Sequence, residues 1–88
     1  MLSSTTLYLP MPTVLQVGPC SFIFFSYDRG EPAHIHVKQD RQLVKFWLDP
    51  IFLEKNRGFK KYELNQIARL VEEHQTGLLD AWHDYFDP

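Results

Sequence analysis

Glu31-Pro32-Ala33-His34-Ile35-His36-Val37-Lys38-Gln39-Asp40-Arg41-Gln42-Leu43-Val44-Lys45-Phe46-Trp47-Leu48 is the stretch whose reading decides the fold. A proline-rigidified turn feeds an extended run over His34–Lys38. Gln39-Asp40-Arg41 then closes a tight hairpin into Gln42–Leu48. Side chains alternate across a strand, so Val44, Phe46 and Leu48 share one face, and Leu43, Lys45 and Trp47 share the other. By the same alternation His34 and His36 leave one face, while Ile35 and Val37 leave the opposite one.

Outward from this hairpin the pattern stays extended on both sides. Val14–Val17 reads as a short first strand, ended by the Gly18-Pro19 turn. Ser21–Tyr27 follows, with Phe22, Ile23, Phe24 and Phe25 apolar on both parities, as in a strand covered on both faces. Asp28-Arg29-Gly30-Glu31-Pro32 reads as a turn. Asp49-Pro50 ends the hairpin, and Ile51–Leu53 is a candidate short final strand before Glu54-Lys55-Asn56-Arg57-Gly58.

From about Lys61 the period changes. Leu64, Ile67, Leu70/Val71, His74, Leu78, Trp82 and Tyr85/Phe86 recur at helical spacing. Glycine is costly in a helix interior, by about 1 kcal/mol, so a break near Thr76-Gly77 into two helices is favoured. The reading is an α+β domain: an antiparallel sheet of three to four strands, with one long or two short C-terminal helices packed on one face. Eighty-eight residues allow one domain, placed over 11–88, with residues 1–10 expected as a disordered N-terminal extension.

Composition narrows the setting. Cys20 is the single cysteine, which excludes a disulfide framework and points to a reducing, cytoplasmic compartment. No apolar run is long enough to span a membrane, and no basic residue precedes Arg29 to start a secretory signal. All nine Lys and Arg lie between Arg29 and Arg69, against five acids there, a local balance of +4. Residues 70–88 hold five acids and no Lys or Arg. Such asymmetry steers charged partners.

Two patches carry candidate chemistry. His34 and His36, at i and i+2, suit ligation of one metal ion, a base and acid pair, or an anion contact; packing against Trp47 is the structural alternative. For a metal, the candidate third ligands are Asp28, Glu31, Asp49, His74 and His83. The second patch is Lys55-Asn56-Arg57-Gly58-Phe59-Lys60-Lys61. Its cations oppose the dipole of the following helix, and no capping residue stands directly before Lys61. An anion bound by Lys55, Arg57, Lys60 and Lys61 would resolve that conflict. Cys20 has no basic sequence neighbour to activate it. There is no Gly-rich nucleotide loop, Walker lysine or nucleophile elbow, so a divalent transition metal is a candidate cofactor and a nucleotide cofactor is not.

Aromatic residues on both sheet faces call for a second cover, for which Trp47, Trp82 and Phe86 are candidate interface residues. A homodimer or a dedicated protein partner is expected.

Met11-Pro12-Thr13-Val14, Glu31-Pro32-Ala33-His34-Ile35-His36-Val37, Phe46-Trp47-Leu48-Asp49-Pro50, Arg57-Gly58-Phe59 and Leu78-Leu79-Asp80-Ala81-Trp82 resemble the domain-of-unknown-function family numbered 4160. The resemblance covers about residues 11–86, with the histidine stretch its specific part. Members usually show two prolines before the first histidine; here Ala33 stands in the second place. The resemblance implies a small bacterial protein without an established activity. Members often sit beside another small domain of unknown function, similar to a toxin–antitoxin module. That implies a protein partner, with nucleic acid as a further candidate. A small ribonuclease-like or metal-dependent hydrolase using His34 and His36, with Arg57 or Lys60 holding a phosphate, is the alternative. The resemblance also supports Met11 as the start of the domain.

Overall fold

The hairpin forms as the alternation requires, with β3 over His34–Gln39 and β4 over Gln42–Leu48. Asp40 takes the left-handed conformation at the turn, with φ 55°, which Asp tolerates better than most residues. His36 lies directly opposite Lys45, and His34 opposite Trp47. The computed structural model describes residues 13–87; the extension expected over residues 1–10 lies outside them.

Two strands precede the hairpin and one follows it. β1 (Thr13–Val17), β2 (Cys20–Ile23) and β5 (Ile51–Arg57) complete a five-stranded sheet in the order β1-β2-β3-β4-β5. Every neighbouring pair is antiparallel. Among the described residues the sheet therefore has five strands, not three to four. The difference lies in β5, which runs four residues past Leu53. Glu54-Lys55-Asn56-Arg57 has no apolar alternation, yet β4 pairs Lys55, Asn56 and Arg57. An edge strand with a solvated surface needs no apolar signal to form.

One irregularity in β5 sets the charge of a whole face. Phe46 pairs Leu53 and Lys45 pairs Lys55, so Glu54 is an extra residue with no partner. A bulge of this kind shifts the side-chain parity of the strand beyond it. Without the bulge, Glu54 and Asn56 would share the face of His36. With it, Lys55 and Arg57 do.

The opposite face is the core. Phe22, Ile35, Val37, Val44, Phe46 and Leu48 are buried there against Ile67, Val71, Leu78 and Trp82 of two helices. Burying a side chain of this size contributes about 1.5–3 kcal/mol. The helices are α1 (Lys61–Glu73) and α2 (Gln75–Phe86). The break falls at His74, three residues before Gly77. The backbone N–H and ring Nδ1 of His74 both reach the Leu70 carbonyl, at 3.0 and 2.8 Å. The Gln75 amide donates to the Leu48 carbonyl at 2.7 Å, tying the break to the end of β4. Gly77 lies inside α2, where a Cβ would meet no obstruction.

The start of α1 is capped without an Asp, Asn, Ser or Thr at the N-cap. The Glu63 carboxylate accepts the Lys60 backbone N–H at 2.8 Å, which is one half of a capping box. Just upstream, the Asn56 side chain brackets Phe59, accepting its N–H at 3.1 Å and donating to its carbonyl at 3.0 Å. Gly58 between them has φ 102°, the left-handed backbone that favours glycine.

Candidate functional site

The connection from β2 to β3 is more than a turn. It carries Phe25 and a short 3-10 turn, Ser26–Asp28, onto the face that holds the histidines. Backbone and side chain lock the turn together. The Asp28 N–H donates to the Phe25 carbonyl at 2.9 Å, and the Phe25 N–H donates to Asp28 Oδ2 at 3.1 Å. The Asp28 carboxylate is thereby fixed and buried.

That carboxylate meets both histidines. Asp28 Oδ2 lies 3.0 Å from His34 Nε2 and 3.7 Å from His36 Nδ1. Taken one atom from each residue, the three donors all fall within 4.8 Å of one another. Of the five third-ligand candidates in the sequence, the fold selects Asp28. Glu31 comes only to 3.8 Å of His34 Nδ1, and its Oε1 is held by Lys45 Nζ at 2.7 Å. His74 sits at the helix break, and His83 pairs with Asp87 on the surface.

The tautomer of His34 follows from its neighbour. His34 Nδ1 lies 2.9 Å from the Pro32 carbonyl, which can only accept, so Nδ1 carries the proton. In the neutral ring Nε2 then bears the lone pair, the form that ligates metals. His34 is 0 % exposed, with Trp82 and Trp47 4.9 and 5.5 Å away between ring centres. His36 keeps 12 % of its side chain exposed and packs edge-on to Phe25 at 4.4 Å. Burial, opposed by the Asp28 carboxylate, lowers the His36 pKa to about 4. That ring is neutral at pH 7. Among the described residues the buried nitrogens His34 Nε2 and His36 Nδ1 have no hydrogen-bond partner.

A cleft of about 280 Å³ adjoins the cluster through His36. Its floor is the cross-strand row His36, Lys45, Lys55, with Leu43 and Arg57 in the next row. Phe25 and Tyr27 also line it, stacked at 5.4 Å and 11°. Tyr27 is 79 % exposed. Lys45 bridges to Glu31 and lies 4.5 Å above the Trp47 ring. The Glu31 carboxyl is held below the usual range, chiefly by its hydrogen bond to Lys45. Among the described residues neither Lys55 nor Arg57 has a carboxylate partner.

The four cations expected to act together are thus divided. Lys55 and Arg57 line the cleft, whereas Lys60, the N-cap of α1, and Lys61, its first residue, do not. Trp82 and Phe86 lie in the core, and Trp47 is half-buried beside His34. The histidines get their cover from the chain's own β2–β3 connection. Lys45, Phe25 and Tyr27 line the cleft, and the motifs did not pick them out. For Lys45 the signal was present, because the hairpin register places it opposite His36.

Cys20 is buried and free, its thiol pushed up by burial and then by Glu63. No helix among the described residues is long and apolar enough to cross a membrane. Neither the curated proteins nor the solved structures contain a match to this chain. A family model does match, over residues 20–83, a span that holds both histidines, Asp28 and the whole cleft: the chain belongs to the DUF4160 family, a domain of unknown function.

Proposed function

We propose that this chain is the nucleic-acid-contacting component of a small, cytoplasmic, toxin–antitoxin-like protein pair, and that the contact is made in the cleft over His36. The observation that carries the reading is the pairing of two chemistries in one groove. Lys55 and Arg57 offer uncompensated positive charge, and the stacked Phe25 and Tyr27 offer aromatic faces. Cations that track phosphates beside rings that stack bases are the means by which single strands are held without sequence preference. The test is binding of a fluorescent single-stranded RNA across a salt series. Two phosphate contacts give a slope of log K against log salt near −1.4, at about −0.7 per contact. A flat salt dependence contradicts the reading.

The partner surface has its own support. Among the described residues β5 is an edge strand, with no neighbour on one side of its backbone. It exposes Phe52, 64 % accessible, together with Leu53. Strand addition at such an edge is a common mode of protein recognition. A dedicated small protein or a second copy of the chain fits it. Sedimentation of the chain alone and with its genetic neighbour separates these occupants; Phe52→Lys should weaken either assembly.

The hydrolase alternative draws on the same cluster. Its acid–base form needs both rings to meet substrate, and the full burial of His34 favours a ligand role for that residue.

A further inference from the structure

We infer that Asp28, His34 and His36 form a binding site for one divalent transition-metal ion, held by Asp28 Oδ2, His34 Nε2 and His36 Nδ1. The inference stands on the cluster alone and holds whether or not the cleft binds nucleic acid.

Three observations converge. First, among the described residues His34 Nε2 is buried without a hydrogen-bond partner, 3.0 Å from the Asp28 carboxylate oxygen. Buried polar atoms are nearly always satisfied, so an unpartnered ring nitrogen set beside a carboxylate oxygen calls for a cation near both. Secondly, the spacing fits an ion. Metal–ligand bonds of about 2.1 Å at angles of about 90–110° set neighbouring donors roughly 3.0–3.4 Å apart. The Asp28–His34 separation falls in that range; the His36 nitrogen, 3.7 Å from Asp28 and within 4.8 Å of both partners, has to draw in to complete the site.

Thirdly, two of the three donors are held from behind by backbone groups. The Pro32 carbonyl fixes the His34 tautomer by accepting from Nδ1, as the outer partner of a metal-bound histidine does. The Phe25 N–H holds the carboxylate in place before any ion arrives. Two imidazoles and one carboxylate favour first-row transition ions over magnesium or calcium. Three protein ligands leave at least one coordination position open. Because His36 belongs to both the cluster and the cleft, an ion here adjoins the cationic groove. A water or an anion oxygen can take the remaining position.

The test uses the full chain, stripped with EDTA and titrated with Co²⁺ and with Zn²⁺. One ion per chain should bind, with visible Co²⁺ absorption, and His36→Ala or Asp28→Asn should weaken binding at least about tenfold. His74→Ala/His83→Ala should bind as the wild type does. Truncating His34 also disturbs the packing against Trp47 and Trp82, so a second measurement avoids mutation. Zn²⁺ should shift the ¹⁵N resonances of His34 Nε2 and His36 Nδ1 and leave the His83 ring unmoved. The inference is overturned by absence of saturable one-to-one binding, or by binding that survives His36→Ala and Asp28→Asn. Binding that leaves both ring nitrogens unshifted, or a His34 doubly protonated at pH 7 in a chain that takes up no metal, overturns it equally.

Discussion

Asp28 Oδ2 and His34 Nε2 are buried 3.0 Å apart without bonding to each other. One comes from the β2–β3 connection and the other from the first residue of β3. Each is locked from behind by a backbone group, the Phe25 N–H on one side and the Pro32 carbonyl on the other. Two supports aimed at one gap make the gap a property of the fold.

The first prediction separates the two roles of the Asp28 carboxylate. Asp28→Ala removes the acceptor of the Phe25 N–H as well as a metal ligand. It should destabilise the chain by about 1–3 kcal/mol even without metal, since a buried donor is left unpaired. Asp28→Asn keeps an acceptor oxygen and should cost less stability. Urea unfolding of the two variants in EDTA checks the ordering.

Metal should stabilise the fold in proportion to its occupancy. At a free concentration 100 times the dissociation constant, a ligand that binds only the native state adds about 2.7 kcal/mol. Thermal unfolding with Zn²⁺ and with EDTA should differ for the wild type and coincide for His36→Ala.

In the metal-free chain, His36 gives stability a pH dependence of known sign. Its folded pKa is about 4, against about 6.5 in an unfolded chain. Between these values the unfolded state binds the extra proton, so stability falls as pH drops from about 6.5 toward 4. The loss should be about 2 kcal/mol, less than the full shift implies because the ring keeps some contact with water. His36→Gln should flatten that part of the profile, as read by unfolding at pH 7 and pH 4.5.

The basic residues divide into two groups with different expected effects. Lys55→Ala and Arg57→Ala should each weaken RNA binding and reduce the salt slope by about 0.7. Lys60→Ala and Lys61→Ala, outside the cleft, should change it little. Equal losses at all four positions would restore the single patch that the sequence suggests.

The central hairpin was legible because its alternation is unbroken from His34 to Leu48, and its register carries Lys45 to His36. The far half of β5 was not. Glu54-Lys55-Asn56-Arg57 reads as a polar loop, and only backbone pairing with β4 makes it a strand. The bulge at Glu54, which turns Lys55 and Arg57 toward the cleft, leaves no mark in a local pattern. The helix break was misplaced for a related reason. Glycine signals weakness within a helix, but the break is made by His74 and Gln75 bonding to Leu70 and Leu48. The third member of the cluster was one of five candidates, because the path of the β2–β3 connection is a tertiary fact. The cap on α1 shows the converse. The apparent conflict before Lys61 is met by Glu63, three residues into the helix.

The most direct measurement is anomalous diffraction at the zinc edge from crystals of the chain grown with Zn²⁺. One strong peak is expected within about 2.0–2.3 Å of Asp28 Oδ2, His34 Nε2 and His36 Nδ1. A map with zinc only at His74 or His83, and with Asp28 hydrogen-bonded directly to His34, would contradict it.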